Sequence, residues 1–329
     1  GENSAAMDPA PASLGRQVLM ACESLGFASA GFIAARPSDW SAELHAWLGA
    51  GKHGDMEWLA GDADVRLDPS RVLPGAKTVI VVADQYAERG AAGGEAGLDS
   101  STACAVGSLG RIARYAQGLD YHGVIRKRLH TLADALRALH PEHEFCTFVD
   151  TAPVMEREHS ARAGLGWIGK HTLLIHPARG SYLLLGGILT TLELTPDSTP
   201  AMTDHCGSCT RCIDACPTRA ITPYSVDATR CISYLTIEHR GRIDAGFHEA
   251  MGEWVFGCDI CQDVCPYNQE RAGKTGVSKV DRVHPAYSPR TVNLPLLEVL
   301  GWSEEDRTRA FSGSAMKRVT LEMLKRNVL

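Results

Sequence analysis

Cys206-Gly-Ser-Cys209-Thr-Arg-Cys212-Ile-Asp-Ala-Cys216-Pro217 separates four cysteines by two, two and three residues and closes on a proline. This is the bacterial ferredoxin spacing, in which three thiolates wrap one 4Fe-4S cubane and the fourth, turned away before the proline, ligates another cluster. The run therefore predicts a second cluster. Downstream, Cys258-Asp-Ile-Cys261-Gln-Asp-Val-Cys265-Pro266 supplies three more thiols, and Cys231 lies alone between the two runs. Eight thiols make two four-cysteine sites. The expected partition is Cys206, Cys209, Cys212 and Cys265 for one cluster, and Cys216, Cys231, Cys258 and Cys261 for the other, with each Cys-Pro thiol crossing over. Zinc ribbons also use C-x2-C pairs, but they do not call for the tight triplet or the crossing Cys-Pro. Disulfides would need an oxidising compartment, and the N-terminus shows no secretory signal.

The chain has 329 residues, 44% of them hydrophobic, with a formal net charge of −6. That suits a globular protein with one large domain and a smaller one. No apolar run approaches the roughly eighteen residues of a membrane span. The nearest, 182–190, is short and holds two glycines, as a buried strand would. With no membrane anchor and no twin-arginine leader, the expected location is the cytoplasm. The acidic total does not advertise nucleic acid, so any such surface has to be local. Cys22, Cys104 and Cys146 have no ligand spacing and read as buried free thiols.

Residues 1–11 are small, polar and Pro-bearing, and are set outside the fold. Apolar residues at three- and four-residue intervals predict a helix over 13–25, ending before Gly26. A strand over 27–35, a helix over 41–48 and a buried strand over 77–83 (KTVIVVA) follow. The Gly-, Ala- and Ser-rich stretch 88–107 reads as a loop, mobile or lid-like. A helix over 121–140, with Val124, Leu129, Leu132, Leu136 and Leu139 on one face, leads to a strand over 144–149 that delivers Asp150 at its exit. A helix over 154–163, a Gly-rich turn (Gly164-Leu-Gly-Trp-Ile-Gly169) and strands over 172–175 and 182–190 precede the cysteine-rich module.

Several features carry two readings. Asp150, before Pro153, is either an acid catalyst or a turn residue. The turn 163–171 suits either close approach of a flat or phosphate-bearing ligand or a tight strand connection. Residues 111–128 hold Arg111, Arg114, Arg126, Lys127 and Arg128 against Asp120. From Arg307 onward, six positive charges face Glu322. Two basic stretches on an acidic chain admit a polyanion partner as well as solvated helix faces. Asp120-Tyr-His122-Gly-Val-Ile125 departs from the Asp-x-His-x-x-Gly by which mutase-type proteins supply a histidine to cobalt, because Ile125 replaces the glycine. His122 therefore reads as structural.

Together, VRLDPSRVLPGAKTVI (65–80), ARYAQGLDYH (113–122), VDTAPVMEREHSARAGLGWIGKH (149–171), the double cysteine module and CISYLTIEHRG (231–241) resemble the epoxyqueuosine reductase family over nearly the whole chain. The resemblance implies a nitroreductase-like α/β (α+β) cobalamin-binding domain over 12–195 and a ferredoxin-like domain with two 4Fe-4S clusters over 196–280. A basic helical segment over 281–329 completes the expected organisation. It implies reduction of epoxyqueuosine to queuosine at the wobble position of tRNA by base-off cobalamin as cob(I)alamin, fed by the clusters, with Asp150 as proton donor. Arg66, Ala116, Asp150, Leu174, Leu185 and Ser233 fall at or near the implied cobalamin contacts. Implied partners are the tRNA anticodon stem-loop and an external electron donor of flavodoxin or ferredoxin type, for a monomer with no membrane partner. A donor that stays protonated near neutral pH calls for a desolvated pocket that raises the Asp150 pKa. The alternatives are a cobalamin-dependent reductive dehalogenase, which typically is exported and uses a Tyr donor, and an electron-transfer ferredoxin. The latter leaves roughly two hundred residues before the clusters without a role.

Overall fold

The computed structural model describes residues 13–90, 109–195, 202–269 and 283–329. The predicted loop 88–107 therefore lies outside the described residues apart from 88–90, as does Cys104. Helix α1 (Leu14–Ser24) starts on the Ser13 side chain, which accepts from Arg16 N–H. It ends where Gly26, at φ 83°, lets Phe27 N–H reach back to Cys22 O at 3.2 Å. Then come β1 (Ser29–Ala34), α2 (Ser41–Gly49), β2 (Thr78–Gln85), β3 (Leu109–Ile112), α3 (Tyr121–Leu139), β4 (Phe145–Phe148), α4 (Glu156–Arg162), β5 (Trp167–Ile168), β6 (Leu174–Ile175) and β7 (Leu183–Thr190).

The main sheet has the order β1-β2-β7-β4, and every neighbouring pair is antiparallel. The chain is thus mixed α and β, with helices covering both faces of an antiparallel sheet. Strand β2 shows why its sequence is a continuous apolar run. Ile80 and Val82 pack in the core beneath α1 and α3, while Val79, Val81 and Ala83 pack with Leu165, Leu174 and Leu189 on the α4 side. At the centre of β7, Gly186 faces Ile125 and Leu129, and a Cβ on Gly187 would collide with Ile80 O. Two glycines let α3 and the neighbouring strand approach closely.

Helix α3 buries Ile125, Leu129, Leu132, Ala133 and Leu136. The predicted face is therefore shifted, since Val124 is only half-buried and Leu139, in the last turn, is 70% exposed. Cys22 is buried as expected, whereas Cys146 on edge strand β4 is half-buried.

A second sheet joins distant parts of the chain. Strand β3 pairs in parallel with β8 (Trp254–Phe256) from the cysteine-rich module and antiparallel with β9 (Asn293–Pro295) near the C-terminus. Helix α5 (Ile232–Ile237) precedes β8; α6 (Glu304–Ala310) and α7 (Leu321–Asn327) close the chain. No described helix is long and apolar enough to cross a membrane.

Between the sheet and α3 lies a buried ion pair. Arg128 Nη1 donates to Asp84 Oδ1 at 3.1 Å and Nη2 donates to Oδ2, while Tyr287 OH donates to Oδ2 at 2.5 Å. The guanidinium also lies 4.3 Å from the Phe27 ring centroid. Asp84 is 1% exposed, so removing Arg128 would leave a buried, uncompensated charge. Arg128→Ala is expected to cost about 3–5 kcal/mol, whereas an Arg126→Ala change on the exposed face should stay within about 0.5 kcal/mol; denaturant unfolding compares the two.

Candidate active site and cluster module

Strand β4 ends at Phe148, and two residues later Asp150 adopts φ 45°, a left-handed conformation tolerated best by Asn, Asp and Gly. The kink turns the Asp150 carboxylate toward the start of α3. There Tyr121 OH donates to Oδ2 at 2.7 Å, and His122 Nε2 lies 3.2 Å from the same oxygen. The helix cap positions both side chains. Asp120 accepts from His122 N–H at 3.2 Å, and its Oδ1 lies 2.7 Å from His122 Nδ1. Its other oxygen, Oδ2, is 2.6 Å from Lys317 Nζ. The result is a line of alternating charge, Lys317, Asp120, His122, Asp150, opening on solvent at an Asp150 side chain that is 59% exposed.

The electrostatics differ from the sequence expectation. The protein around Asp150 pushes its pKa up although the side chain is more than half exposed, but the bonds with His122 and Tyr121 and the charges of His122 and Arg157 outweigh this, leaving the pKa below the ordinary carboxylate value. For His122, burial opposes the proton, yet the bonds to Asp120 and Asp150 prevail and push the pKa up to about 9. These shifts favour a proton on His122 over one on Asp150. The sequence alone reads His122 as structural. The available signal was an Asp-Tyr-His at a helix start, where a capping Asp aims the next two side chains at the neighbouring strand exit.

Next to Asp150, the Glu156 pKa is raised to about 8, chiefly by burial and then by the Asp150 charge, with Arg157 and Arg66 opposing. Arg66 is 7% exposed and lies 5.1 Å from the Trp58 ring centroid. Arg66 Nε and Glu156 Oε1 are both buried, and neither finds a partner among the described residues. A donor and an acceptor left over beside the acid suit a large polar ligand carrying amides. Of the other expected contacts, Leu174 and the half-buried Leu185 share the core on the α4 side, Ala116 is buried in the core beneath α1 and α3, and Ser233 is half-buried in α5, two residues after Cys231.

The Gly-rich turn makes a tight strand connection. Strand β5 lies within it and pairs with β6, and a Cβ on Gly166 would collide with Ile175 O. It packs on both cysteine runs, with Lys170 Nζ donating to Gly207 O at 2.6 Å and Cys209 O at 3.0 Å in the first and the Trp167 ring edge-on to Tyr267, just past the second, at 4.8 Å.

Burial raises the pKa of Cys206, Cys212, Cys231, Cys258, Cys261 and Cys265, and the neighbouring sulfurs that add to it fall into two sets. Cys206 and Cys209 act on Cys212, and Cys206 and Cys212 act on Cys265. Cys216 acts on Cys231, Cys231 and Cys216 act on Cys258, and Cys258 and Cys231 act on Cys261. Cys212 also acts on Cys261, so the sets adjoin. Soft thiolates in fours, a few bonded by backbone N–H as at Ala220 N to Cys216 Sγ (3.3 Å), fit iron–sulfur clusters.

The module is pinned to the sheet domain by buried polar contacts. Arg114, in the turn leading to α3, donates its backbone N–H to Asp259 at 2.8 Å and its guanidinium to Asp263. Tyr182 OH donates to Asp263 at 2.6 Å, and Asn268 accepts from Ser181 N–H at 2.7 Å. The predicted basic stretches are largely spent in such contacts. Arg114 and Arg128 are paired inward, Arg307 donates to Val319 O and Lys317 O, and Arg326 donates to Leu235, His239 and Gly241 carbonyls. Arg126, Lys127 and Arg157 are exposed, and near Asp150 the exposed Lys317 and Arg318 are paired with Asp120 and Glu238.

A 4Fe-4S double cluster binding domain model matches residues 205–268, and an epoxyqueuosine reductase QueG, DUF1730, model matches residues 66–151. An epoxyqueuosine reductase of Pseudomonas aeruginosa is 38% identical over 322 residues, covering 97% of this chain and 85% of that one. Among solved structures, an epoxyqueuosine reductase with a tRNA-Tyr epoxyqueuosine-modified stem loop superposes with TM-score 0.82 at 30% identity, over 95% of this chain and 79% of that one. The Bacillus subtilis epoxyqueuosine reductase with its aspartate catalytic loop swung out of the active site gives 0.81 at 29% identity, with the same coverage.

Anaerobic reconstitution is expected to load about eight iron and eight sulfide per chain, four to each cluster. Double substitutions test the crossed partition. Cys206→Ser with Cys265→Ser should keep about four iron, because both ligands serve one cluster, while Cys258→Ser with Cys265→Ser should damage both clusters and keep far fewer. The opposite ranking in iron analysis would assign each cysteine run wholly to its own cluster.

Proposed function

The chain belongs to the epoxyqueuosine reductase family, and we propose that it reduces epoxyqueuosine to queuosine at the wobble position of tRNA, with Asp150 protonating the departing oxygen. The observation that carries this reading is the Asp150 carboxyl at the open end of a hydrogen-bonded line with Tyr121 and His122, beside the orphaned Arg66 and Glu156 atoms. Removing an epoxide oxygen as water to leave an alkene consumes two electrons and two protons. The 4Fe-4S clusters pass electrons singly from an external donor of flavodoxin or ferredoxin type, so a centre that accumulates reducing equivalents is needed between them and the substrate.

Base-off cobalamin, when bound, supplies that centre, accepting single electrons and delivering two. Arg66 and Glu156 would hold its polar groups, with Ala116, Leu174, Leu185 and Ser233 as further contacts of the family type. On this reading 12–195 is a nitroreductase-like domain, 196–280 carries the clusters, and 281–329 is a C-terminal segment that brings Lys317 to the site. This chain's own residues do the proton work. Tyr121 orients the carboxyl, and Asp120 fixes the His122 ring through Nδ1.

A wobble nucleoside in an anticodon loop leaves its stack at lower cost than one in a duplex. The cations Arg157, Lys317 and Arg318 around the mouth suit the phosphates on either side of it.

Asp150→Asn is the direct test, since Asn accepts the left-handed backbone as readily as Asp. Iron content and folding should persist while single-turnover epoxide reduction falls by roughly 10²–10⁴-fold. If Asp150 merely shapes the turn, the variant would keep both its stability and its turnover. For the RNA surface, replacing Lys317 and Arg318 together by Ala should weaken binding of an anticodon stem-loop. It should also lower the salt slope of log K by about 1–2. An affinity and a slope unchanged from the parent protein would place the RNA elsewhere.

A further inference from the structure

The reading of Asp150 as donor leaves a difficulty within the site itself. Two protons are consumed per epoxide, yet the carboxyl that should deliver them accepts from Tyr121 OH, lies 3.2 Å from His122 Nε2 and has its pKa lowered by both, which favours the carboxylate. We infer that His122 is the proton reservoir of this site: its imidazolium, clamped between Asp120 and Asp150, recharges the Asp150 carboxyl as Asp150 gives its proton to the substrate oxygen.

The geometry supports this in three ways. His122 Nε2 is 3.2 Å from Asp150 Oδ2 and His122 Nδ1 is 2.7 Å from Asp120 Oδ1, so each ring nitrogen faces a carboxylate and the doubly protonated ring satisfies both. Asp120 is held for that task, with Oδ2 bound to Lys317 and Oδ1 also accepting His122 N–H at the helix start. The His122 side chain is 24% exposed, enough to regain a proton from solvent without being washed out by it. Tyr121 cannot take the role, because its phenol already donates to Asp150 and its pKa is pushed far up by burial and by the Asp150 charge.

The other charged groups nearby are Arg157, Arg318, Arg66 and Glu156, and they act on Asp150. The groups that raise the His122 pKa are Asp120 and Asp150 alone.

Each proton passes in two moves. His122 Nε2–H transfers its proton to the Asp150 carboxylate, and the Asp150 O–H so formed transfers it to the oxygen leaving carbon. The neutral ring keeps its Nδ1–H on Asp120 until solvent reprotonates Nε2. The ring-opened oxygen takes one proton in this way and its loss as water takes the second, while both electrons come from the clusters. His122 is a positioning residue that acts through Asp150 and has no contact with substrate.

The test uses the full, cluster-loaded enzyme, reduced in advance and mixed with an epoxyqueuosine-bearing stem-loop across pH 6–10. The wild-type rate should hold level to about pH 8 and fall as His122 deprotonates near 9. In His122→Gln the carboxyl must find its own proton, so the rate should fall about tenfold per pH unit from pH 6 to 8. A His122→Gln profile that is level over that range and within threefold of wild type overturns the inference. Asp150→Asn separates the two layers. Near-wild-type turnover in that variant removes the donor reading itself, whereas an inactive Asp150→Asn beside a wild-type-like His122→Gln removes only the reservoir.

A measurement free of turnover covers the case in which His122→Gln does not fold. Deuterium exchange at the His122 ring Cε1–H, followed by mass spectrometry of the intact protein's peptides, reports the ring's own titration. The midpoint should lie near 9 and move down by at least one unit in Asp120→Asn. A midpoint at the ordinary 6.5 in the wild-type protein overturns the proposal.

Discussion

The contact on which the rest of this structure depends is the insertion of Arg114 into the second cysteine run. Its backbone N–H and its guanidinium engage Asp259 and Asp263, residues that alternate with the thiols Cys258 and Cys261. Arg114 is also six residues from the cap of α3, so the turn that anchors the cluster module also sets where Tyr121 and His122 begin. Burial pushes the Asp259 pKa up to about 6, opposed first by the Arg114 backbone N–H and then by its charge. A paired buried charge of this kind adds little net stability over an apolar equivalent, but it fixes one geometry, because any slippage strands the carboxylates without partners. Electron delivery needs that fixed geometry more than it needs stability.

Around this joint the sheet domain is a rigid support. Strand β2 is buried on both faces and β7 runs beside it with two glycines at its centre, so α3 sits close against the sheet and cannot shift without overlap. The acid is carried by the opposite kind of structure. Asp150 follows a four-residue edge strand, takes a positive φ and is more than half exposed. A precise partner and a yielding one therefore meet across a single hydrogen bond pair, with the helix start supplying the fixed side. Strain of this sort survives only where the surroundings hold it, and here Tyr121 and His122 hold it.

Charge at the site is arranged in alternation. Lys317, Asp120, His122 and Asp150 follow one another from the C-terminal segment to the solvent-exposed end of the line. Each group's proton affinity is set by its neighbours, which is why the carboxylate lies low and the imidazole high. Of the C-terminal cations, Arg326 stitches α7 to carbonyls of the module and Arg307 ties α6 to the carbonyls of Lys317 and Val319, while Arg309, Lys317 and Arg318 stay exposed beside carboxylate partners.

By itself the sequence determined the chemistry that depends on local spacing. Cysteines two and three residues apart before proline specify cluster loops, because a short tether allows few ways for thiolates to surround a cubane. Apolar periodicity likewise placed α1, α3, β2 and β7, since burial of one face or of two leaves different patterns along the chain. The strand exit at Asp150 was legible for the same reason. Only the tertiary structure decided what depends on neighbours far apart in the chain. These include the antiparallel order of the sheet, the sharing of one small sheet by β3, β8 and β9, the consumption of basic residues in buried pairs, and the identity of the group that holds the proton. His122 and Asp150 are separated by 28 residues, and Lys317 lies far beyond both. A pKa is a property of the charges and solvent around a group, and no spacing along the chain encodes those until the chain has folded.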